Sequence, residues 1–495
     1  MPEPDTTAAD RSLTPIRIGA VAVSVLVVAL GMLALGPKGA AIVLLGLAAV
    51  ALIATTTRLT AAHVLSVGCV LAMFSGNWSA LGFPIGVDRL VVLAGVFMAL
   101  VAAATDRELR LVARPVHLGL MAASAWAVCS LVLVGAQFDS VALYALLDRF
   151  GVVPFLVFFV APYAFRTAAS RRVLVGTLTL MGLYLGAMAV FQRIGPEQLV
   201  FPRYILDPDL GIHFDRARGP FLEASANGVV LVMCAAVSTY GLHALSRRWR
   251  WWCVAAMGLS ALGAALTLTR SVWLAFLLAG AVGMLSLPRL RPFIVPAALG
   301  VVAVVAIALA VLPGFANSAQ DRAAEQEPVW DRRNLVTASI RIIEDRPLLG
   351  VGWSRFPTES PPYFRQADDY PLSGEGLVVH NVPLLYATEI GIAGFALWAV
   401  AFGVAVIGPI LRRGSPLFAE WRAVHLAILV AWLTVAMFAP LAQALPNMLL
   451  MLWAGVTAGT VPWMTPLSSR SRAAASTDAP PQTPLEAVPV VSGRS

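Results

Sequence analysis

The chain has 495 residues, 59% of them hydrophobic and only 13% charged, with a formal net charge of +8. A soluble domain carries about a quarter charged residues, and the deficit here runs along the whole length, which excludes an ordinary soluble fold. The positive balance does not point to nucleic acid, because most basic residues sit in short segments between apolar runs, where they set membrane orientation.

A bilayer core needs about 20 apolar residues per helix. Such runs occur at 15–36, 39–56, 60–76, 88–105, 116–135, 150–165, 172–192, 222–244, 251–268, 271–287, 292–313, 381–411, 423–440 and 444–464. They predict an all-α, polytopic transmembrane helical protein of about fourteen spans. The first run follows a polar start and is long enough to span, so it reads as a retained helix rather than a cleaved signal. Residues 1–14 and 465–495 are rich in Ala, Ser, Thr and Pro and read as disordered cytoplasmic tails. Between them, 15–192 read as N-terminal transmembrane helices and 193–464 as a second membrane region. No internal repeat of the solenoid kind is visible.

With a cytoplasmic N-terminus, alternate loops should be basic. They carry Arg58; Arg107, Arg110 and Arg114; Arg166, Arg171 and Arg172; Arg247, Arg248 and Arg250; Arg289 and Arg291; and Arg412 and Arg413. The opposite loops hold Asp139, Asp207, Asp209, Asp215 and the carboxylates of 321–375. Both termini are therefore expected in the cytoplasm. Two outer segments exceed a turn, 193–221 and the large extracytoplasmic loop at 314–380. Within the latter, Val336, Ile340 and Ile343 recur at helical spacing and Pro347 follows the charged end, which predicts an amphipathic helix and then a glycine-rich turn at Gly350 and Gly352.

That orientation sorts the candidate functional residues. Cys69, Cys129, Cys234 and Cys253 lie in apolar runs without CxxC spacing and read as small hydrophobes. His63, His117, His243 and His425 fall at cytoplasmic helix ends, and only His213 and His380 fall outside. His380 sits where the large loop re-enters the membrane, a place for a group that takes a proton near neutral pH, or for an interfacial histidine bonded to backbone. Arg218 opens RGPFLEASANG and Arg270 lies in LTLTRSVW. An arginine this close to hydrocarbon costs roughly 2.5–3.5 kcal/mol on insertion scales, so it has a partner or a task, unless it snorkels to the headgroups. Guanidinium forks suit phosphate oxygens. Arg216 and Arg341 are weaker candidates of the same kind. Glu223 and Glu389 are acids in or beside apolar runs, fit for an ion pair or for an acceptor. Asn227 and Asn381 suit sugar hydroxyls or helix caps. Trp330, Trp353 and Tyr363 suit sugar stacking or interfacial anchoring. There is no P-loop, Rossmann fingerprint, HExxH or GxSxG, and no metal cluster. These absences argue against a nucleotide-driven pump, and an enzyme of this kind would take a pre-activated substrate.

Four segments together resemble the O-antigen ligase and polymerase superfamily of bacterial membrane glycosyltransferases. They are Arg218 to Leu222 (arginine, three residues, leucine), LTLTRSVW with Arg270, ASIRIIEDRPLLGVGWSRF, and His380 to Gly391 (histidine, ten residues, glycine). The resemblance covers roughly 172–440, and about fourteen spans exceeds the dozen usual in the ligases. It implies a glycosyltransferase of the bacterial inner membrane with no cofactor and no metal. The donor would be a glycan on undecaprenyl diphosphate, its tail among membrane lipids, and the acceptor a lipid or saccharide. Carried over by position, Arg218 and Arg270 would bind the diphosphate and His380 would help activate the acceptor hydroxyl. A ligase and a polymerase would look alike. A peptidoglycan-type glycosyltransferase of the shape-and-division class, with an outer-loop aspartate as catalytic residue, is a rival within the enzymes. A lipid-linked glycan flippase is the rival outside them, and it would place ionisable groups near the midplane and show repeats.

Overall fold

The computed structural model describes residues 59–81, 86–105, 113–311, 326–412 and 418–459. The apolar runs at 15–36 and 39–56 and both tails lie outside the described residues. Each of the other twelve runs coincides with a helix. In chain order these are α1 (Ala61–Leu71), α2 (Val87–Thr105), α3 (Pro115–Leu133), α4 (Ser140–Ala164), α5 (Ala168–Ile194), α6 (Ala224–Ala244), α7 (Arg250–Leu266), α8 (Arg270–Ser286) and α9 (Ile294–Val311). After the amphipathic α10 (Glu327–Asp345) come α11 (Val382–Val406), α12 (Ala419–Ala436) and α13 (Ala444–Gly459). Among the described residues, seven of the helices are long and apolar enough to cross a bilayer. A helix is the form such a sequence must take in lipid, because it satisfies every backbone group within its own segment.

The apolar helices run alternately up and down. One end of the bundle gathers the 195–223 segment, α10 with the loop to residue 380, and the 437–443 turn; we refer to it as the mouth. The other end gathers Arg114, Arg166, Arg171, Arg172, Arg247, Arg248, Arg250, Arg291 and Arg412. Among the described residues one main apolar core runs from Ala61 to Ala458, with two small clusters beside it, so helices before and after residue 193 share a core. Outward-facing Leu118, Met121, Leu133, Trp251 and Val295 are exposed, as lipid-facing positions would be.

Two helices depart from ideal geometry, and both departures matter below. In α4, residues Ala145–Phe150 form a π-turn that ends at Gly151. In α11, Gly391 takes φ 71°, which splits the helix into a short upper half and a long lower half. Only glycine fits there, since a Cβ on Gly391 would strike the Leu348 carbonyl oxygen. The predicted amphipathic helix is present as α10, with its other face inward. Leu335, Ala338, Ser339 and Ile342 are buried, while Val336 and Ile340 are exposed and Ile343 is half-buried. The small residues Ala338 and Ser339 allow close packing that the larger stripe would prevent.

Candidate functional site

The mouth is assembled from three helix ends. Arg270 begins α8, where Thr269 gives no side-chain cap. His380 directly precedes α11, whose cap is Asn381: its Oδ1 accepts from the Leu384 amide at 2.9 Å, and its Nδ2 donates to the Met437 carbonyl at 3.4 Å. Arg332 comes from the first half of α10. Loop residues 366–373 are folded onto that helix by Asn334, which donates to the Pro371 carbonyl at 2.9 Å.

The charges at these three ends act on one another. Burial pushes the Arg332 guanidinium below its ordinary range, the positive charge of Arg270 pushes it further down, and only Asp331 opposes them. Burial likewise pushes the His380 imidazole below its ordinary value, with a second push from Arg332. Asp331 and a backbone contact at Val378 pull the other way. His380 Nδ1 is buried and has no hydrogen-bond partner. Arg270 and Arg332 make no hydrogen bond or ion pair among the described residues, and Arg332 Nε is buried without a partner. Two guanidiniums in mutual repulsion, at an uncapped helix N-terminus whose dipole adds positive potential, form a site that gains from an anion. Beside Arg332 lies an open depression of about 350 Å³, lined by Val329, Arg332, Arg333, Val336, Thr337 and Tyr370.

Arg218 has a different environment. It is fully buried, and its guanidinium donates to the backbone carbonyls of Ile205 (3.0 Å from Nη2), Asp207 and Leu210. It ties the 205–210 loop to the start of α6 and has its donors occupied by the protein itself. Asn227 does similar work, donating to the Ala217 carbonyl at 2.9 Å. Arg341 donates to the Tyr363 carbonyl at 2.8 Å and holds the 361–364 turn on α10. Arg216 is half-buried on the same segment as Arg218, and its carbonyl accepts from Gln192.

The two acids part company as well. Glu223 lies at the mouth beside Ser225 and Gln443, and burial pushes its carboxyl above the ordinary carboxylate range against the pull of those hydrogen bonds. Glu389 is fully buried below the mouth and pairs with Arg149 at 2.8 Å. Trp353 is buried too: its ring lies 4.9 Å from the Arg149 guanidinium and its Nε1 donates to the Ala142 carbonyl at 3.0 Å. It is thus neither an interfacial anchor nor an exposed stacking face. Of the cysteines, Cys69, Cys234 and Cys253 are buried as expected, and Cys129 is exposed on the outward face of α3.

Of the residues singled out by the sequence, Arg270 and His380 each lie within electrostatic reach of Arg332, which is inconspicuous in the sequence among the charges of the large loop. Arg149 was missed as well, although a charged Asp148–Arg149 pair directly before an apolar run was its signal.

The O-antigen ligase family model matches residues 255–399. The matched stretch contains Arg270, Arg332, Arg341, His380, Asn381 and Glu389, and ends within the lower half of α11; Arg216, Arg218 and Glu223 precede it. No curated protein matches the chain. The match thus covers three of the four segments that carry the resemblance, those with Arg270, 338–356 and His380, in a polytopic helical protein.

Proposed function

We propose that the protein transfers a glycan from a polyprenyl-diphosphate donor, of the undecaprenyl type, to a hydroxyl of a saccharide or lipid acceptor, and that the mouth faces the extracytoplasmic side. The observation that carries this reading is that Arg332 lies within electrostatic reach of both Arg270 and His380, all three within the stretch that matches the ligase family. The donor's tail stays among the lipids while its diphosphate reaches the two guanidiniums.

The chemistry asks little else of the protein. The acceptor oxygen forms a bond to the anomeric carbon, the bond from that carbon to the phosphate oxygen breaks, and the electron pair leaves with the diphosphate. Arg270 and Arg332 stabilise the charge that grows on the leaving group, which is where preorganised donors lower a barrier most. His380, kept neutral by burial and by Arg332, accepts the hydroxyl proton, a role worth about 10²–10⁴-fold. Arg218 supports the site by shaping the 205–210 loop rather than by touching phosphate. The orientation is supported by the nine arginines gathered at the end away from the mouth. The transporter reading gains no support from the interior, where Arg149 is paired with Glu389 and Arg89 with Asp148.

The test is transfer in proteoliposomes containing the purified protein, a glycan-diphosphate-polyprenol and candidate acceptors. Labelled product from the wild-type protein, and none from His380→Ala of equal thermal stability, is the expected result; equal product from both would sink the reading. For the orientation, Glu375→Cys in a Cys129→Ala background should react with a membrane-impermeant thiol reagent in intact cells, since Glu375 is exposed whereas nearby Ser360 is buried. Labelling that needs permeabilised cells would reverse the topology.

A further inference from the structure

We propose that Arg149 and Glu389 form a positioning pair that sets the upper half of α11, the segment headed by His380, against the turn that ends the arm bearing Arg332. The inference rests on the proposed transfer reaction for its kinetic consequence, but the positioning itself is measurable without it.

The break at Gly391 leaves the carbonyls of Thr388, Glu389 and Ile390 without their ordinary helical donors. All three are recruited by other segments. Thr388 accepts from the Val351 amide at 2.9 Å, Glu389 from the Gly352 amide at 2.9 Å, and Ile390 from Trp126 Nε1 at 3.0 Å. In return the Ile392 amide donates to the Pro347 carbonyl at 2.8 Å. The glycine-rich turn after α10 is therefore woven into the broken helix by backbone bonds in both directions. Gly350 is required for the approach, because a Cβ there would collide with the Thr388 carbonyl oxygen.

Side chains then fix this joint to α4. Glu389 is 0% exposed and Arg149 7%, so their 2.8 Å contact is shielded from water and from screening. The Ser354 and Phe356 backbone amides turn toward the same carboxylate. Tyr386, one turn above Glu389, donates its hydroxyl to the Arg149 carbonyl at 2.6 Å. That carbonyl lies in the π-turn, and Asn447 of α13 donates at 3.0 Å to the neighbouring Asp148 carbonyl. A π-turn is an uncommon device that frequently marks functional sites. Here it aims Arg149 at Glu389 and Asp148 at Arg89 of α2. The pair thus holds one joint whose two arms carry His380 and Arg332, while touching neither donor nor acceptor. A misplacement of about 1 Å in such a site costs on the order of 10²-fold in rate.

Glu389→Gln keeps size and one hydrogen bond but removes the charge, and Arg149→Lys keeps the charge but removes the fork. In the proteoliposome assay both should lower kcat by at least about tenfold, with donor KM within about threefold of wild type and thermal stability retained; Glu389→Asp should recover part of the loss. A purely structural role would instead lower the folded fraction and leave kcat per folded molecule unchanged. Wild-type kcat in both folded variants overturns the proposal. If neither variant folds, Tyr386→Phe decides, since it deletes only the hydroxyl: a kcat loss of about threefold supports positioning, and unchanged kcat overturns it. Amide hydrogen exchange provides the readout independent of transfer. In Glu389→Gln, or Tyr386→Phe, the amides of Val351, Gly352 and Leu384–Ile390 should exchange at least about tenfold faster while α5–α7 keep wild-type rates. Unchanged exchange there overturns the positioning pair even if transfer proves absent, and a failure of transfer in the wild type counts against the proposed function alone.

Discussion

Two parts of the mouth, the start of α8 and the 205–218 loop, each place an arginine beside the end of an apolar helix, and the two arginines have opposite surroundings. Arg218 is sealed by three backbone carbonyls of its own chain. Arg270 stands exposed at a helix start with another guanidinium, Arg332, close enough to repel it. An arginine whose donors are occupied stabilises a loop, whereas a repelling pair without acceptors stores positive potential for a ligand. The role of an intramembrane or interfacial arginine is read from its acceptors, not from its depth.

The largest effect that bears on this contrast is at His380. His380→Ala should reduce transfer by at least about 10²-fold with little change in stability, measured as initial rate per folded protein. A loss below about threefold would move the proton acceptor elsewhere. Arg270→Lys comes next: without the fork, donor KM should rise about tenfold although the charge remains. Full activity of the lysine variant would reduce the mouth to a diffuse electrostatic attraction. Arg218→Lys should behave in the opposite way. It strands carbonyls of Ile205, Asp207 and Leu210, at about 1–3 kcal/mol for a buried group left unsatisfied, and should lower thermal stability with donor KM unchanged. A stable Arg218→Lys protein with weakened donor binding would erase the distinction between the two regions.

The pH dependence is the smallest and most diagnostic effect. The folded-state pKa of His380 lies below its ordinary value, so the neutral base is present at and above neutrality. Activity should therefore be flat around pH 7 to 8 and fall on the acid side, with the limb below about pH 6.5. The same depression means the native state resists protonation, so the contribution of His380 to stability is intact above the unfolded pKa and declines as pH falls below it. Arg332→Gln removes one of the causes of the depression and should move the acid limb toward higher pH. An unmoved limb would separate Arg332 from His380.

Much of this architecture was legible in the sequence, for definite reasons. Apolar runs become helices in a bilayer whatever their neighbours do, so each run within the described residues was found. Asn381 as a cap and the turn at Gly350 and Gly352 follow from local chemistry. The rest depended on chain segments far apart in sequence. The inward face of α10 was hidden because Ala338 and Ser339 contribute little hydrophobic signal yet pack closest. Arg332 looks in the sequence like one of several loop charges, and only the fold brings it within electrostatic reach of Arg270 and His380. A span beginning at residue 150 leaves Asp148 and Arg149 outside it; in the fold the π-turn, with Arg89 as partner of Asp148 and Glu389 as partner of Arg149, keeps both buried. The partners of Arg218 are hidden for the complementary reason, since the carbonyls that occupy it belong to a loop with no motif of its own.

The most direct test of the mouth as a diphosphate site is equilibrium binding of a non-transferable polyprenyl diphosphate analogue to purified protein in nanodiscs, followed by isothermal titration. Arg270→Ala and Arg332→Ala should each weaken binding by at least about tenfold, while Arg218→Lys, once folded, should bind as wild type does. Binding that survives loss of both mouth arginines, or that disappears with Arg218 alone, would contradict the account.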